Sequence, residues 1–250
     1  MTVRLFDVQT GFGGLVKGEA VPVAVEEWLD EMERLDIDRA LARTAPDEQE
    51  RDVPAANAIL FAACAGHERL VPCPVVVPNT AYDLAPEAEQ VADAIARGAG
   101  AAWVRPEKDA WVLRDWSCGA LFRALEERRL PAFCLLRDVT FEQLGDLAGT
   151  YRELPFLLAG VAFREQRIIL PLLETFPNVH LSIGNRYTTH AGLEQFVARI
   201  GADRLLFGTG FPESEAMMAL TQLMYADISE PDKAKIGAGN FERLMEGVRR

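Results

Sequence analysis

Short apolar runs rich in β-branched and aromatic residues alternate along this chain with longer stretches in which apolar residues recur every three or four positions. The first pattern suits strands buried on both faces, and the second suits helices that bury one stripe. Strands are predicted near Val3–Gln9, Arg39–Arg43, Leu70–Val77, Ala101–Arg105, Ala132–Leu136, Phe156–Val161, Val179–Ile183 and Leu205–Gly208. Helices are predicted at Val23–Arg34, Ala55–Ala65, Pro86–Ala96, Gly119–Glu127, Phe141–Ala148, Gln166–Glu174, Leu193–Ile200 and Glu213–Tyr225. Eight alternating units predict a parallel sheet, and they close into a (β/α)₈ barrel (a TIM barrel) more naturally than they fill an open sheet. A doubly wound sheet is the alternative. Its glycine fingerprint should follow the first strand, yet Gly11-Phe-Gly-Gly14 supplies only a fragment, with no helical pattern starting there. After Asp227 come two more helical stretches, Glu230–Ile236 and Phe241–Val248, joined at Gly237-Ala-Gly-Asn240 and placed to cap or flank the barrel. No linker or low-complexity tract interrupts the alternation, so a single domain over residues 1–250 is expected.

Composition narrows the partners. A chain of 250 residues, 49% of them apolar, has the usual size of one such barrel. Its 26 basic and 38 acidic residues leave a net charge of −12, which repels phosphate backbones and anionic membranes, so no nucleic-acid or membrane partner is expected. The opening stretch, Met1 to Gly14, lacks the basic start and apolar run of a secretory signal, and no apolar run has the length of a membrane span; a cytoplasmic protein is expected. Cys64, Cys73, Cys118 and Cys134 form no Cys-x-x-Cys pair, and Cys134 lies in the apolar run Pro131-Ala-Phe-Cys-Leu-Leu136. They read as reduced core residues rather than metal or redox groups.

Several segments, in order along the chain, resemble one family. Leu5-Phe-Asp-Val-Gln-Thr-Gly11 is similar to an Asp-x-His-x-His first strand, and Leu130-Pro-Ala-Phe-Cys-Leu135 to a fifth strand that ends in histidine. Phe176-Pro-Asn-Val-His180 is similar to the entry of a seventh strand. The more specific segments are Gly201-Ala-Asp-Arg-Leu-Leu-Phe-Gly-Thr-Gly-Phe-Pro212 and Gly239-Asn-Phe-Glu-Arg-Leu244, which resemble an eighth strand and a closing Asn-x-x-Arg-Leu helix. Together they resemble the amidohydrolase-related family of TIM-barrel, metal-dependent hydrolases and decarboxylases. The resemblance implies histidines at positions 9, 11 and 135, another near Ala159-Gly-Val161, and an aspartate at 210. This chain has Gln9, Gly11, Leu135 and Gly210 there. A metal hydrolase needs about three or four N and O donors to hold a divalent ion and acidify its water. The resemblance therefore implies a degenerate member with no metal ligands and no cofactor.

What polar chemistry remains should sit at the carboxyl ends of the strands. Alternation puts Asp7 on one face with Gln9 and Gly11, either as a catalytic carboxylate or as a buried, satisfied one. Arg105 with Glu107, and Arg137 with Asp138, offer either rim salt bridges or a fork for a carboxylate or phosphate. The loop Asn185-Arg-Tyr-Thr-Thr-His190 is the most polar. His190 is the first choice for a general base, with Glu194 four residues on to orient it, while a helix capped by Thr188 or Thr189 with His190 exposed is the plain alternative. Asn185, Arg186 and Thr209 could donate to a ligand, Arg164 and Arg167 could add charge, and His180 and His67 read as structural. No Gly-x-Ser-x-Gly elbow is present. Two functions follow: a metal-independent hydrolase or lactonase acting on a small carboxylated molecule, or a non-catalytic pseudoenzyme that binds a small molecule or serves as a regulatory or scaffold protein. Apolar residues at Met217–Tyr225 could serve a homo-oligomer or the core.

Overall fold

The computed structural model describes residues 3–13, 24–44, 52–184, 186–187 and 189–250. Gly14, Val23, Asn185 and Thr188, which entered the reading above, lie outside that set. Eight strands follow in chain order: β1 Phe6–Asp7, β2 Arg39–Ala42, β3 Leu70–Pro72, β4 Ala102–Trp103, β5 Ala132–Leu135, β6 Phe156–Ala159, β7 Val179–Ile183 and β8 Leu205–Phe207. Every pairing is parallel, with β1-β2-β3 and β4-β5-β6-β7-β8 as continuous ladders.

Two seams join these ladders into a barrel. Between β3 and β4, Trp103 N donates to Pro74 O at 2.8 Å and Val76 N to Trp103 O at 3.1 Å. Prolines 72, 74 and 78 have no N–H to give, which is why this ladder is thin and the strands short. Between β8 and β1, Val8 N donates to Phe207 O at 3.0 Å and Gly210 N to Gln9 O at 2.7 Å.

The helices are α1 Val25–Arg34, α2 Val53–Cys64, α3 Glu87–Ala96, α4 Asp115–Arg128, α5 Phe141–Thr150, α6 Gln166–Thr175, α7 Gly192–Ile200, α8 Ala216–Met224, α9 Glu230–Ala234 and α10 Asn240–Glu246. Strand parity splits the core into two layers. Leu41, Val71, Trp103, Phe133, Leu157 and Leu206 fill the barrel, while their sequence neighbours Ala40, Ala42, Ala102, Ala132, Phe156 and Leu205 pack outward under the helices. In α1, Trp28 and Met32 are four apart and both buried, with Trp28 stacked on Phe12 at 6.1 Å. Each large side chain buried in this way contributes roughly 1.5–3 kcal/mol. α5 begins with Thr140 and Gln143 in a reciprocal cap.

At Gly237-Ala-Gly-Asn240, where the two closing helical stretches join, a π-helical turn, Lys235–Gly239, runs on from α9 into α10. Asn240 is buried there, and its Nδ2 donates to Ala202 O at 2.7 Å and Leu205 O at 2.8 Å. That amide ties the closing helix to the start of β8, which gives the Asn-x-x-Arg-Leu segment its physical role. No helix among the described residues is long and apolar enough to cross a membrane.

Candidate functional site

At the carboxyl ends of the strands lies a cavity of about 30 Å³ whose walls include Gln9, Gly11, Arg43, Leu135, Arg137 and Gly210. The four positions at which the family resemblance places metal ligands, 9, 11, 135 and 210, thus meet in space. Their side chains offer one neutral amide and no imidazole or carboxylate. Among the described residues no group of three or more His, Cys, Asp or Glu side chains lies together in a way that could hold a metal ion. The volume admits a water or two, whereas a dry cavity of about 150 Å³ is of the size that admits benzene.

Gln9 stands where strand alternation ends. Residues 8 and 9 bend, Asp7 Oδ1 accepts from Gln9 N at 2.9 Å, and the Gln9 side chain reaches the cavity and accepts from Ser182 Oγ at 3.1 Å. There is room because position 208 is glycine; a Cβ there would sit 2.8 Å from Gln9 Cβ. Asp7, expected on the same face, is not part of the cavity wall. Its carboxylate accepts from Thr209 N at 3.0 Å and from the Thr209 hydroxyl, binding β1 to β8. Burial raises its pKa, opposed by the Thr209 hydroxyl, by the two backbone donors and by the charge of Arg43. Thr209 is fully occupied with this clamp and also accepts from Phe211 N at 3.1 Å.

The expected arginine pairs are rearranged. Arg105 is 1% exposed and pairs with Asp109, not Glu107: Nε and Nη2 donate to the two carboxylate oxygens at 2.9 and 2.7 Å. A turn in which Asp109 N donates to Arg105 O folds the acid back, and Glu107 is left exposed. Arg137 pairs with Glu213 at 3.1 and 3.2 Å rather than with Asp138, and both partners line the cavity rim. Asp138 is drawn inward beside the Trp103 indole, where burial raises its pKa against the nearby arginines; its Oδ2 and Trp103 Nε1 face one another without closing a well-formed hydrogen bond.

Arg43, which the sequence reading placed only at the end of a strand, is the residue that it missed. It is 8% exposed, and its guanidinium lies 4.9 Å from the Trp103 ring centroid and 4.5 Å from that of Phe133. Burial lowers its pKa, and the neighbouring Arg137 adds to that. No hydrogen bond or salt bridge from its side chain to another described residue is formed, and its Nε is an orphaned buried donor. A basic residue at the carboxyl end of a strand, on the parity of Leu41, was the available signal.

The other candidates do not converge on the cavity. His190 is exposed at the start of α7 and is not part of the cavity wall, and Glu194 Oε1 accepts from Asp227 N at 2.9 Å instead of meeting the imidazole. Arg186, Arg164 and Arg167 are exposed. His180 is buried, its pKa pushed down to about 4 by burial, so it is neutral at pH 7. His67 follows α2 at the opposite end of the barrel. Among the cysteines, burial pushes Cys73 up to about 12 and Cys118 to about 11, as suits inert thiols.

A family profile for amidohydrolases matches residues 22–245. The chain belongs to the amidohydrolase family. It is 26% identical over 144 residues to a γ-resorcylate decarboxylase of Rhizobium sp. (strain MTP-10005), a match that covers 52% of this chain and 44% of that protein, so the shared stretch is less than half of that relative's length. The fold is similar to that of the 5-carboxyvanillate decarboxylase from Sphingomonas paucimobilis, with a TM-score of 0.73 at 13% identity, over 98% of this chain and 99% of that one. It is also similar to the 5-carboxyvanillate decarboxylase from Novosphingobium aromaticivorans with bound manganese, with a TM-score of 0.75 at 14% identity and 97% of each chain covered. Likeness at these identities shows the fold.

Proposed function

We propose that this amidohydrolase-family barrel binds a small carboxylated molecule at its mouth, without a resident divalent metal, and acts as a binding or regulatory protein rather than a hydrolase. The observation that carries the reading is the cavity wall itself: Gln9, Gly11, Leu135 and Gly210 offer no anionic or imidazole donor, the Arg137–Glu213 pair at the rim is mutually neutralised, and the remaining charge in the wall is the guanidinium of Arg43. A fixed cation in that place repels a metal ion and attracts an anion. The related decarboxylases are named for carboxylated aromatics, which supports a carboxylate as the ligand.

The hydrolase or lactonase reading needs an acid and a base within reach of one bound molecule. His190 is absent from the cavity wall, Asp7 is consumed by Thr209, and Glu213 at the rim is held by Arg137. The test is calorimetric titration of 2,6-dihydroxybenzoate into protein with and without chelator, alongside metal analysis and an assay for its decarboxylation. Binding indifferent to chelator, with no turnover on adding manganese or zinc, is expected. Stoichiometric bound metal or metal-dependent turnover would overturn the reading.

A further inference from the structure

We infer that Arg43 is the seat of the ligand's carboxylate, a built-in cation that fills electrostatically the place where the family's architecture would put a metal. The inference rests on the proposed carboxylate binding and assigns it to one side chain.

Four observations converge on Arg43. First, it is buried on the inner face of the barrel, in the wall of the same cavity as positions 9, 11, 135 and 210. Second, its plane is held by Trp103 and Phe133, whose rings lie 4.9 and 4.5 Å away; such contacts fix a guanidinium without using its N–H groups. Third, none of its donors meets an acceptor among the described residues. A buried, unpaired charge is among the most unfavourable features a fold can keep, and nearly all such groups are hydrogen-bonded. Fourth, of the carboxylates that act on it electrostatically, Glu213 and Asp7 are engaged by Arg137 and Thr209, and Asp138 lies beside the Trp103 indole and forms no hydrogen bond with Arg43.

The shape of the site selects the ligand class. A guanidinium fork presents parallel N–H groups that match a planar carboxylate. A cavity of about 30 Å³ takes the head of such a group and no ring, so an aromatic ligand would place its ring outside the cavity. Arg137 at the rim is the second positive group that this ligand meets on entry. The preferred ligand is therefore a monocarboxylate with its body directed outward, and a neutral amide of the same shape should bind poorly.

Thermal unfolding of the full chain tests this, with sodium benzoate, sodium acetate and neutral benzamide as probes and sodium chloride at matched ionic strength as the reference. A ligand that binds the native state alone raises Tm with concentration. In wild-type protein, benzoate and acetate are expected to raise Tm and benzamide to leave it unchanged. In Arg43→Met the benzoate effect should weaken at least tenfold in apparent affinity, and in Arg43→Lys, which keeps the charge but not the fork, by less. Benzoate stabilisation that persists unchanged in Arg43→Met overturns the assignment to Arg43 while leaving carboxylate binding intact. Absence of any benzoate or acetate effect in wild-type protein overturns both. Should Arg43→Met fail to fold, Arg43→Lys and the benzoate–benzamide contrast in wild-type protein decide: equal shifts from the two probes overturn the inference.

Discussion

Two buried arginines flank the same indole and have opposite circumstances. Arg105 lies 5.0 Å from the Trp103 ring and Arg43 4.9 Å from it. Arg105 closes a two-pronged pair with Asp109 four residues along its own turn, so its charge is largely spent within the fold. Arg43, immediately after β2, has two aromatic faces and no acceptor among the described residues. Stacking fixes where a guanidinium lies; only an acceptor neutralises it. The difference separates an arginine that holds the β4 loop together from one whose donors meet no acceptor among the described residues.

The sharpest way to break the contrast is to give Arg105 the condition of Arg43. Asp109→Ala should lower stability by about 3–5 kcal/mol, read by urea unfolding, because it strands a buried cation. Arg43→Met removes a cation with no acceptor among the described residues and should be neutral or stabilising in the same assay without ligand. A large loss in Arg43→Met would mean that its aromatic contacts outweigh its desolvation.

A second effect comes from His180, whose pKa burial pushes down to about 4 from the ordinary 6.5. Above pH 6.5 the imidazole is neutral in both states and has no influence. As pH falls from 6.5 towards 4, the unfolded chain takes up a proton that the folded chain refuses. Stability is then lost, up to about 3 kcal/mol from this group, and the loss is complete below pH 4. His180→Asn should flatten that segment of the curve of stability against pH; an unchanged slope would assign the acid sensitivity to other groups.

A smaller loss is expected in Thr209→Val. It deletes the hydroxyl donor of the buried Asp7 carboxylate and should cost about 1–3 kcal/mol in denaturant unfolding. The smallest effect belongs to Arg137→Ala. Its partner Glu213 is exposed, so stability should change by about 0.5 kcal/mol or less, while carboxylate binding weakens if Arg137 guides the anion in.

The barrel was legible because strand and helix periodicities are local signals, repeated eight times, and each predicted strand contains the observed one. The order of metal positions was legible too: 9, 11, 135 and 210 do meet around one cavity. The polar partners were not. Alternation misplaced Asp7 because the chain bends at residues 8 and 9. The neighbour-by-neighbour pairing of Arg105 with Glu107 and of Arg137 with Asp138 failed because a turn and the β8 loop brought in Asp109 and Glu213. Arg43 carried little local signal, since what makes it unusual is supplied by Trp103 and Phe133, far along the sequence.

Gly11 ties the barrel mouth to the end of β2. A Cβ at that position would lie 2.7 Å from the backbone oxygen of Arg43. A histidine placed there would have to push back the end of β2, and with it the arginine that occupies the cavity wall. A side chain at position 11 and the present seat of Arg43 therefore exclude one another, so any change at the one requires a matching change at the other.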